Sequence, residues 1–313
     1  MTGYLVRRLF QLIPVALVVS LVLFMLLRLM PGDPTLAILG QEATEQDRAV
    51  LREDLGLDAP LWQQFTQWLG DLVRGDLGSS WLTDERVGTV ISDRFAATVE
   101  LGVIALVFAV LVGIPAGLLA AVRRRTRTDT ALNSVGLVAL SAPHFYLAAL
   151  LILVFALWLK VLPPSGYVPF AEDPVENLRR MVLPAVTIGS TIAAVTMRQT
   201  RAALLAAFNE DYIRTAEASG LSRGRIVVVY ALRNAIVPVV TVIALQIGAL
   251  MSATVVTETV FTVPGMGTLI VNGIFSRDLP VVQGAVLMVV VLVLLVNLLA
   301  DLVYAWLDPR ITY

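Results

Sequence analysis

The sequence predicts an all-α membrane protein of six transmembrane helices. Both termini are expected in the cytoplasm, with a long external loop after the first helix and a cytoplasmic helix pair between the fourth and fifth. Three observations carry this expectation. Of the 313 residues, 58% are hydrophobic and 15% charged, against roughly 45–50% and about 25% in soluble domains, and the mean hydropathy is +0.82. Six runs free of charge, Leu9–Leu27, Leu101–Val122, Thr130–Leu159, Met181–Met197, Asn234–Thr257 and Leu279–Ala300, are each long enough for a span, which needs about 17–25 apolar residues and must be helical to satisfy its backbone in lipid. Arginine, finally, is unevenly distributed between the loops. Pro31–Asp93 holds twelve acidic and four basic residues, whereas Arg123, Arg124, Arg125 and Arg127 face Asp129 alone, and Arg198–Arg233 carries six arginines against three acids. Arginine excess near span ends marks the cytoplasmic side. Arg7, Arg8 and Arg310 fall there too, and only Arg179 and Arg180, offset by Glu172, Asp173 and Glu176, run against the rule.

The spans are placed at about 9–29, 98–122, 131–159, 181–200, 234–257 and 280–304, in a single transmembrane domain covering 1–313. The first follows Arg7-Arg8 like a signal peptide, but its run exceeds the roughly 7–15 residues of a cleaved apolar region, so it reads as a retained helix. The external loop, about 31–97, opens on Pro31–Thr35, where Pro, Gly and Asp suit a tight turn. Leu61, Phe65, Trp68, Leu69 and Leu72 then recur at helical spacing, in a helix expected to stop near Gly75 and Gly78. That helix either lies over the outer ends of the spans or docks a soluble partner. The third run contains the sole histidine, His144, one turn after Ser141 with Pro143 between. The fourth, Met181–Met197, is the shortest. The last external segment, Glu258–Pro280, is too apolar for a free loop; Pro264-Gly265-Met266-Gly267 forces a turn and Thr268–Phe275 forms a short helix packed on other spans.

Between spans four and five lies the cytoplasmic loop of about 203–233. Asn209 is the expected N-cap of a helix with Glu210 and Asp211 in its first turn. Tyr212–Ser219 continue it, and Gly220 suits the left-handed position just past its end. Ser222 then caps a second helix through Ile226 to Leu232. Arg223 and Arg225 stand in that helix's first turn, where the dipole disfavours cations by roughly 0.3–1 kcal/mol each. Something outside the helix, an anionic leaflet or an acidic protein, is needed to explain them.

Several chemistries are excluded or disfavoured, with a secondary transporter kept as the alternative from a different class. The absence of cysteine removes disulfides and thiolate sites. A phosphate-binding loop needs GxxxxGK[ST], and the sole lysine, Lys160, follows Leu159. Ser141 and His144 lack a nucleophile elbow, and Pro143 disturbs the turn between them; the histidine reads as a polar residue at a proline kink. A secondary transporter needs an ionisable residue at membrane depth, whereas Glu100, Glu258 and Asp301 border the runs. Asn133, Ser141, Thr187, Ser190, Thr191, Thr196, Gln246, Ser252 and Asn297 are polar positions within spans, for a pathway or for packing. Nothing suggests nucleic-acid binding.

The segments "DYIRTAEASGLS" and "ALRNAIVPVVT" resemble the EAA loop of ABC importer permeases, in the dipeptide, oligopeptide and nickel branch. Arg214-Thr215-Ala216, Glu217-Ala218-Ser219 and Gly220 follow the loop's spacing of Glu-Ala-Ala, three residues, Gly. "MPGDPT", "LGLDAPLWQQF", "GDLGSSW", "VPGMG" and the terminal "LDPRITY" extend the resemblance along the whole chain. It implies a second homologous permease, two cytoplasmic ATP-binding subunits, an extracytoplasmic substrate-binding protein and a lipid-embedded, multi-pass chain in the plasma or inner membrane. The cargo implied is a di- or oligopeptide, with a nickel complex, glutathione or another small solute as alternatives. ATP and Mg belong to the partners, with no catalytic, cofactor or metal site here. Contact with the ATPase falls by resemblance on Tyr212, Arg214, Thr215, Ala216, Glu217, Gly220, Leu221, Ser222 and Arg223. The external loop and gate positions are Gly32, Asp33, Pro34, Phe65, Trp68, Pro264, Gly265, Met266 and Gly267.

Overall fold

A computed structural model describes residues 2–29, 33–40 and 42–307. Gly32, Arg310, the "DPRITY" terminus and the side chains of Arg7, Arg8, Ser252 and Asp301 lie outside what is described. The described chain is helical, with no strand beyond an isolated bridge between Ser79 and Arg86. In order, the helices are α1 (Thr2–Arg28), α2 (Pro34–Leu39), α3 (Glu45–Asp54), α4 (Leu61–Val73), α5 (Val87–Val122), α6 (Arg127–Ser141), α7 (His144–Leu151), α8 (Pro174–Ala207), α9 (Asp211–Ala218), α10 (Arg223–Arg225), α11 (Leu232–Phe261), α12 (Met266–Ser276) and α13 (Leu279–Leu307). Two π-helical stretches, Ile152–Trp158 after α7 and Ile226–Ala231 before α11, join the list. Four helical stretches are long and apolar enough to cross a membrane, Val87–Val122, Pro174–Ala207, Arg223–Gly248 and Leu279–Leu299, and two broken pairs raise the number to as many as six. Ile13–Arg28 of α1 is a shorter apolar helix.

The chain divides into two compact units, Met1–Ala97 with Pro264–Leu294, and Thr98–Val263 with Leu295–Tyr313. In the first, α4 turns its aromatic stripe onto α1. The Phe24 ring is 1% exposed, with Phe65 edge-on at 5.4 Å and Trp68 at 6.1 Å. Leu23 and Leu27 of α1 pack with Leu279 and Val282 of α13. A second cluster joins Val87 and Ile91 to Met266, Val281 and Ala285. Asp278 ties the loop before α5 to α12 and α13, taking hydrogen bonds from the Ser80 hydroxyl and the Trp81 amide.

In the second unit the centre is α8. Its run was the shortest expected from sequence, yet the helix extends over 34 residues, and 67% of its most apolar window is buried. The reason is composition: Thr187, Gly189, Ala193, Ala194, Thr196 and Thr200 face protein, where small residues let backbones approach. Gly113 and Gly117 of α5 meet this face so closely that an added Cβ would lie 2.7 Å from Ala193 O and 2.5 Å from Met197 O. The third run, by contrast, is two helices. α6 and the α7 stretch meet at 112°, because Ala142 before Pro143 is held extended (ψ 127°) and a residue preceding proline avoids the helical region. The Nδ1 of His144 is buried without a hydrogen-bond partner among the described residues, so the histidine does not satisfy the freed backbone through that atom. Glu258 lies inside α11 rather than at its border; it is fully buried and accepts from Thr98 at 2.7 Å.

Candidate functional site

The helix α9 is short and two-sided. Ile213 and Ala216 are 2% and 5% exposed and join Ala121, Leu204, Ala207, Ile226, Ala231 and Ala235 in one cluster. The ends of α5, α8 and α11 therefore share a core with the segment between them. On the other side Tyr212, Arg214, Thr215 and Glu217 are exposed, as are Gly220, Ser222, Arg223 and Arg225, with Leu221 half-buried against the cluster. Of the expected contact residues, Ala216 is thus a core residue and the others, Leu221 aside, form a surface.

The corner after α9 has a defined stop. Gly220 has φ +74°, its N–H bonds to Glu217 O at 3.0 Å, and the Leu221 N–H bonds back to Ala216 O at 3.3 Å. These two bonds and the left-handed glycine make the Schellman arrangement, with the Leu221 side chain packed on the cluster that holds Ala216. The N-terminus differs from the expectation. Glu210, not Asn209, occupies the cap position, with no side-chain cap bond, and the Asn209 amide donates to Leu205 O at 2.9 Å instead. Ser222 holds the cap position of α10 but also makes no cap bond. Arg214 pairs with Asp211 at 3.5 Å on the surface, a contact worth about 0–1 kcal/mol. Arg223 and Arg225 have no carboxylate partner among the described residues, so none of these supplies the compensating charge.

Behind this surface lies an ion pair the sequence did not announce. Arg201 near the end of α8 grips Asp129 near the start of α6 with two bonds, Nε to Oδ1 at 2.7 Å and Nη2 to Oδ2 at 2.9 Å. The Asp129 side chain is 8% exposed and also accepts from the Arg125 amide and from Asn133. Such fork-to-fork geometry fixes orientation as well as distance. It locks the arginine-rich loop to the helix that leads into α9.

The positions expected on the external side fall in the first unit. Asp33 does more than turn the chain: its carboxylate accepts from the Thr35 amide and hydroxyl at the start of α2, with Pro34 as the first helical residue. Arg52 of α3 closes on the same carboxylate at 2.7 Å. Burial pushes the Asp33 carboxyl up, but the Thr35 bonds and Arg52 outweigh it and hold the group below the usual carboxylate range. Phe65 and Trp68 lie against Phe24 of α1, while Trp62 on the same helix is 69% exposed. Gly265 is the extended cap residue of α12, and Met266 and Gly267 are buried at its start.

Residues 113–313 match the family described as binding-protein-dependent transport system inner membrane component. The chain belongs to that family. Residues 1–102 match the corresponding N-terminal family of the same transport-system membrane components. Among permeases, the dipeptide transport system permease protein DppB of Escherichia coli K12 is 39% identical over 337 residues, covering 100% of this chain and 99% of that protein. The di/tripeptide transport system permease protein DppB of Pseudomonas aeruginosa is 39% identical over 334 residues with the same coverage. A solved structure of the MetNI methionine ABC transporter in inward-facing conformations shares the fold, with a TM-score of 0.58 at 17% identity over 70% of this chain and 96% of that one. The protein is a multi-pass membrane permease, a component of a transport system rather than a catalytic enzyme.

For a permease of this family, the arrangement does one mechanical thing. Ile213 and Ala216 pack the inner face of α9 against the ends of α5, α8 and α11 at once. Sequence reasoning placed the left-handed glycine at position 220 correctly. It missed Asp129–Arg201 and the Gly113/Gly117 contact; the signals were an aspartate closing an arginine run and two glycines four apart, the small-xxx-small spacing of close helix pairs.

Proposed function

We propose that this chain is one of two permease subunits of an ATP-driven ABC importer in the cell membrane, passing di- or oligopeptides delivered by an external binding protein. The six spans are α1, α5, the α6–α7 pair, α8, α11 and α13, with both termini cytoplasmic. In this topology α9 and α10 face the cytoplasm and seat on one of two ATP-binding subunits, which hold the ATP and Mg; the chain itself binds no cofactor. The observation that carries the reading is the division of α9, with Ile213 and Ala216 in the core and Tyr212, Arg214, Thr215 and Glu217 left exposed beside Arg223 and Arg225, which have no carboxylate partner among the described residues. A solvated linker has no need of a buried inner face, and a self-contained fold has no need of that outer one. The peptide cargo is supported by the relatives at 39% identity along the full chain, whose names specify dipeptides and tripeptides.

The test is reconstitution with the partner permease, ATP-binding subunits and binding protein in proteoliposomes. Di- and tripeptides should stimulate ATP hydrolysis and enter the vesicles. Stimulation by a nickel complex or glutathione, with peptides inert, would move the cargo to those classes. Topology is read separately in cells: single cysteines replacing Ser79 and Arg124, both exposed in a chain without native cysteine, should label from opposite sides, Ser79 from outside. Labelling of both from one side would overturn the orientation.

A further inference from the structure

Arg28, the last residue of α1, has no part in the coupling described above. Its guanidinium sits 5.4 Å from the Phe24 ring centroid, and its Nε is buried with no hydrogen-bond partner among the described residues. It lines a cavity of about 380 Å³ whose wall also carries Arg52, Arg277, Asp33, Asp58 and Gln64, within the roughly 300–1,000 Å³ typical of small-ligand sites. The charges there do not cancel around Arg28. Asp33 is occupied by Arg52 at 2.7 Å and by Thr35, Arg277 donates to the Asp33 carbonyl at 3.3 Å, and Asp58 is exposed. Gln64 is 9% exposed. Its amide donates to Leu57 O and Ala59 O at 3.0 and 2.7 Å, while its Oε1 is buried with no partner. A second cavity of about 190 Å³ shares Arg28 and Gln64 and adds Gln283, 5% exposed with its Nε2 likewise unpartnered.

Buried polar groups are almost always hydrogen-bonded, and each exception calls for an explanation. Here, among the described residues, two donors, one of them cationic, and one acceptor are unmet. A single water, occupying about 30 Å³ of liquid volume, is too small for the space and carries no charge to offset a guanidinium. We propose that this site binds a small oxyanion, a phosphate or carboxylate group, held by Arg28 and Gln283, with Gln64 Oε1 accepting from a hydroxyl or ammonium of the same ligand. The oxyanion comes either from a free solute or from a phospholipid headgroup at the end of α1.

The experiment uses the purified complex in neutral detergent and in nanodiscs. One arm titrates inorganic phosphate at constant ionic strength and follows the thermal midpoint. The other compares nanodiscs of phosphatidylcholine with discs containing phosphatidylglycerol and measures lipid retained after extraction by native mass spectrometry. The wild type should respond saturably in one arm, and Arg28→Gln should weaken that response roughly tenfold or more, as expected for loss of a charge-assisted hydrogen bond. Arg28→Lys keeps the charge but not the Nε donor and should fall between. Arg74→Gln, an exposed arginine of the same unit, should match the wild type. A response to phosphate assigns a free solute; retained phosphatidylglycerol with phosphate inert assigns a headgroup. No saturable response in either arm, or equal responses from the wild type and Arg28→Gln, overturns the proposal. Should Arg28→Gln fail to insert, Arg28→Lys decides, and a wild-type response from it refutes the site.

Discussion

Replacing Gly220 tests whether the corner after α9 transmits force through its angle. The residue sits at φ +74°, and a Cβ added there meets nothing within 4 Å, so the chain itself imposes no clash and the penalty is confined to the backbone. For an L-residue the left-handed region costs roughly 1–2 kcal/mol; asparagine tolerates it best, and a β-branched residue there is a genuine outlier. Since 1.4 kcal/mol is about a factor of ten in population, Gly220→Val should deplete the native corner about tenfold or more, and Gly220→Asn by only a few-fold. Lost with the corner are the bonds from Gly220 and Leu221 to Glu217 and Ala216, which hold α9 at its angle to α10. The assay is ATP hydrolysis stimulated by loaded binding protein in the reconstituted complex, with peptide uptake beside it and membrane insertion as the control. Coupling should fall in the order Gly, Asn, Ala, Val while insertion is unchanged. Wild-type coupling in Gly220→Val would show that the angle transmits nothing. Equal defects in the Asn and Val variants would show that a partner fills the open space above Gly220, and the backbone argument would fail.

Phe24→Ala should destabilise the first unit by about 3–5 kcal/mol, the usual cost of truncating a buried aromatic, whereas Trp62→Ala, at an exposed site, should stay within roughly 0.5 kcal/mol; thermal unfolding in detergent distinguishes them. Gly117→Ala should separate α5 from α8 and lower the yield of folded protein, because its methyl would lie 2.5 Å from Met197 O, while Gly70→Ala in α4, with open space around it, should gain roughly 0.5–1 kcal/mol from helix propensity. Asp129→Asn should cost about 3 kcal/mol or more by leaving Arg201 half-buried without its carboxylate, and Arg201→Lys should recover only part of the wild-type stability because lysine cannot make the two-pronged contact; a double-mutant cycle on the pair measures the coupling.

Uncharged run length located the helices well, because a bilayer tolerates little else and the pattern is long. It ranked them badly. Met181–Met197 looked weakest because Arg180 and Arg198 cut its uncharged run short, yet α8 is the most enclosed of the long apolar helices described, its threonines, alanines and glycine facing protein. Short polar helices were harder still. The helix α3 has no apolar stripe, but Thr44 and Asp47 form a capping box at its start, a local signal in the sequence that periodicity does not detect. Asp129 and Arg201 are 72 residues apart, and nothing in one sequence says that an arginine beyond the fourth span will return to that aspartate. The bend at Pro143 was legible as a kink; its size follows from Ala142 being held extended, which requires the neighbouring helices to accept two short rods in place of one.

What α9 owes to its own fold is separable from the face left open for the proposed partner. Burial of Ile213 and Ala216 is sufficient to hold the helix on the ends of α5, α8 and α11, and the Schellman corner is sufficient to end it. Neither requires tyrosine at 212, arginine at 214 and 223, or glutamate at 217, all of them exposed. Exposed side chains contribute little to stability, within about 0.5 kcal/mol for most substitutions, and the surface pair of Arg214 with Asp211 adds only about 0–1 kcal/mol. A functional defect in variants of these residues therefore cannot be charged to misfolding of the permease. Variants of Ile213 or Ala216, in contrast, would confound the two. The exposed set is where the proposed contact with the ATPase can be tested directly, and the pair Arg223 and Arg225, placed against their own helix dipole, is where an acidic partner surface should be sought first.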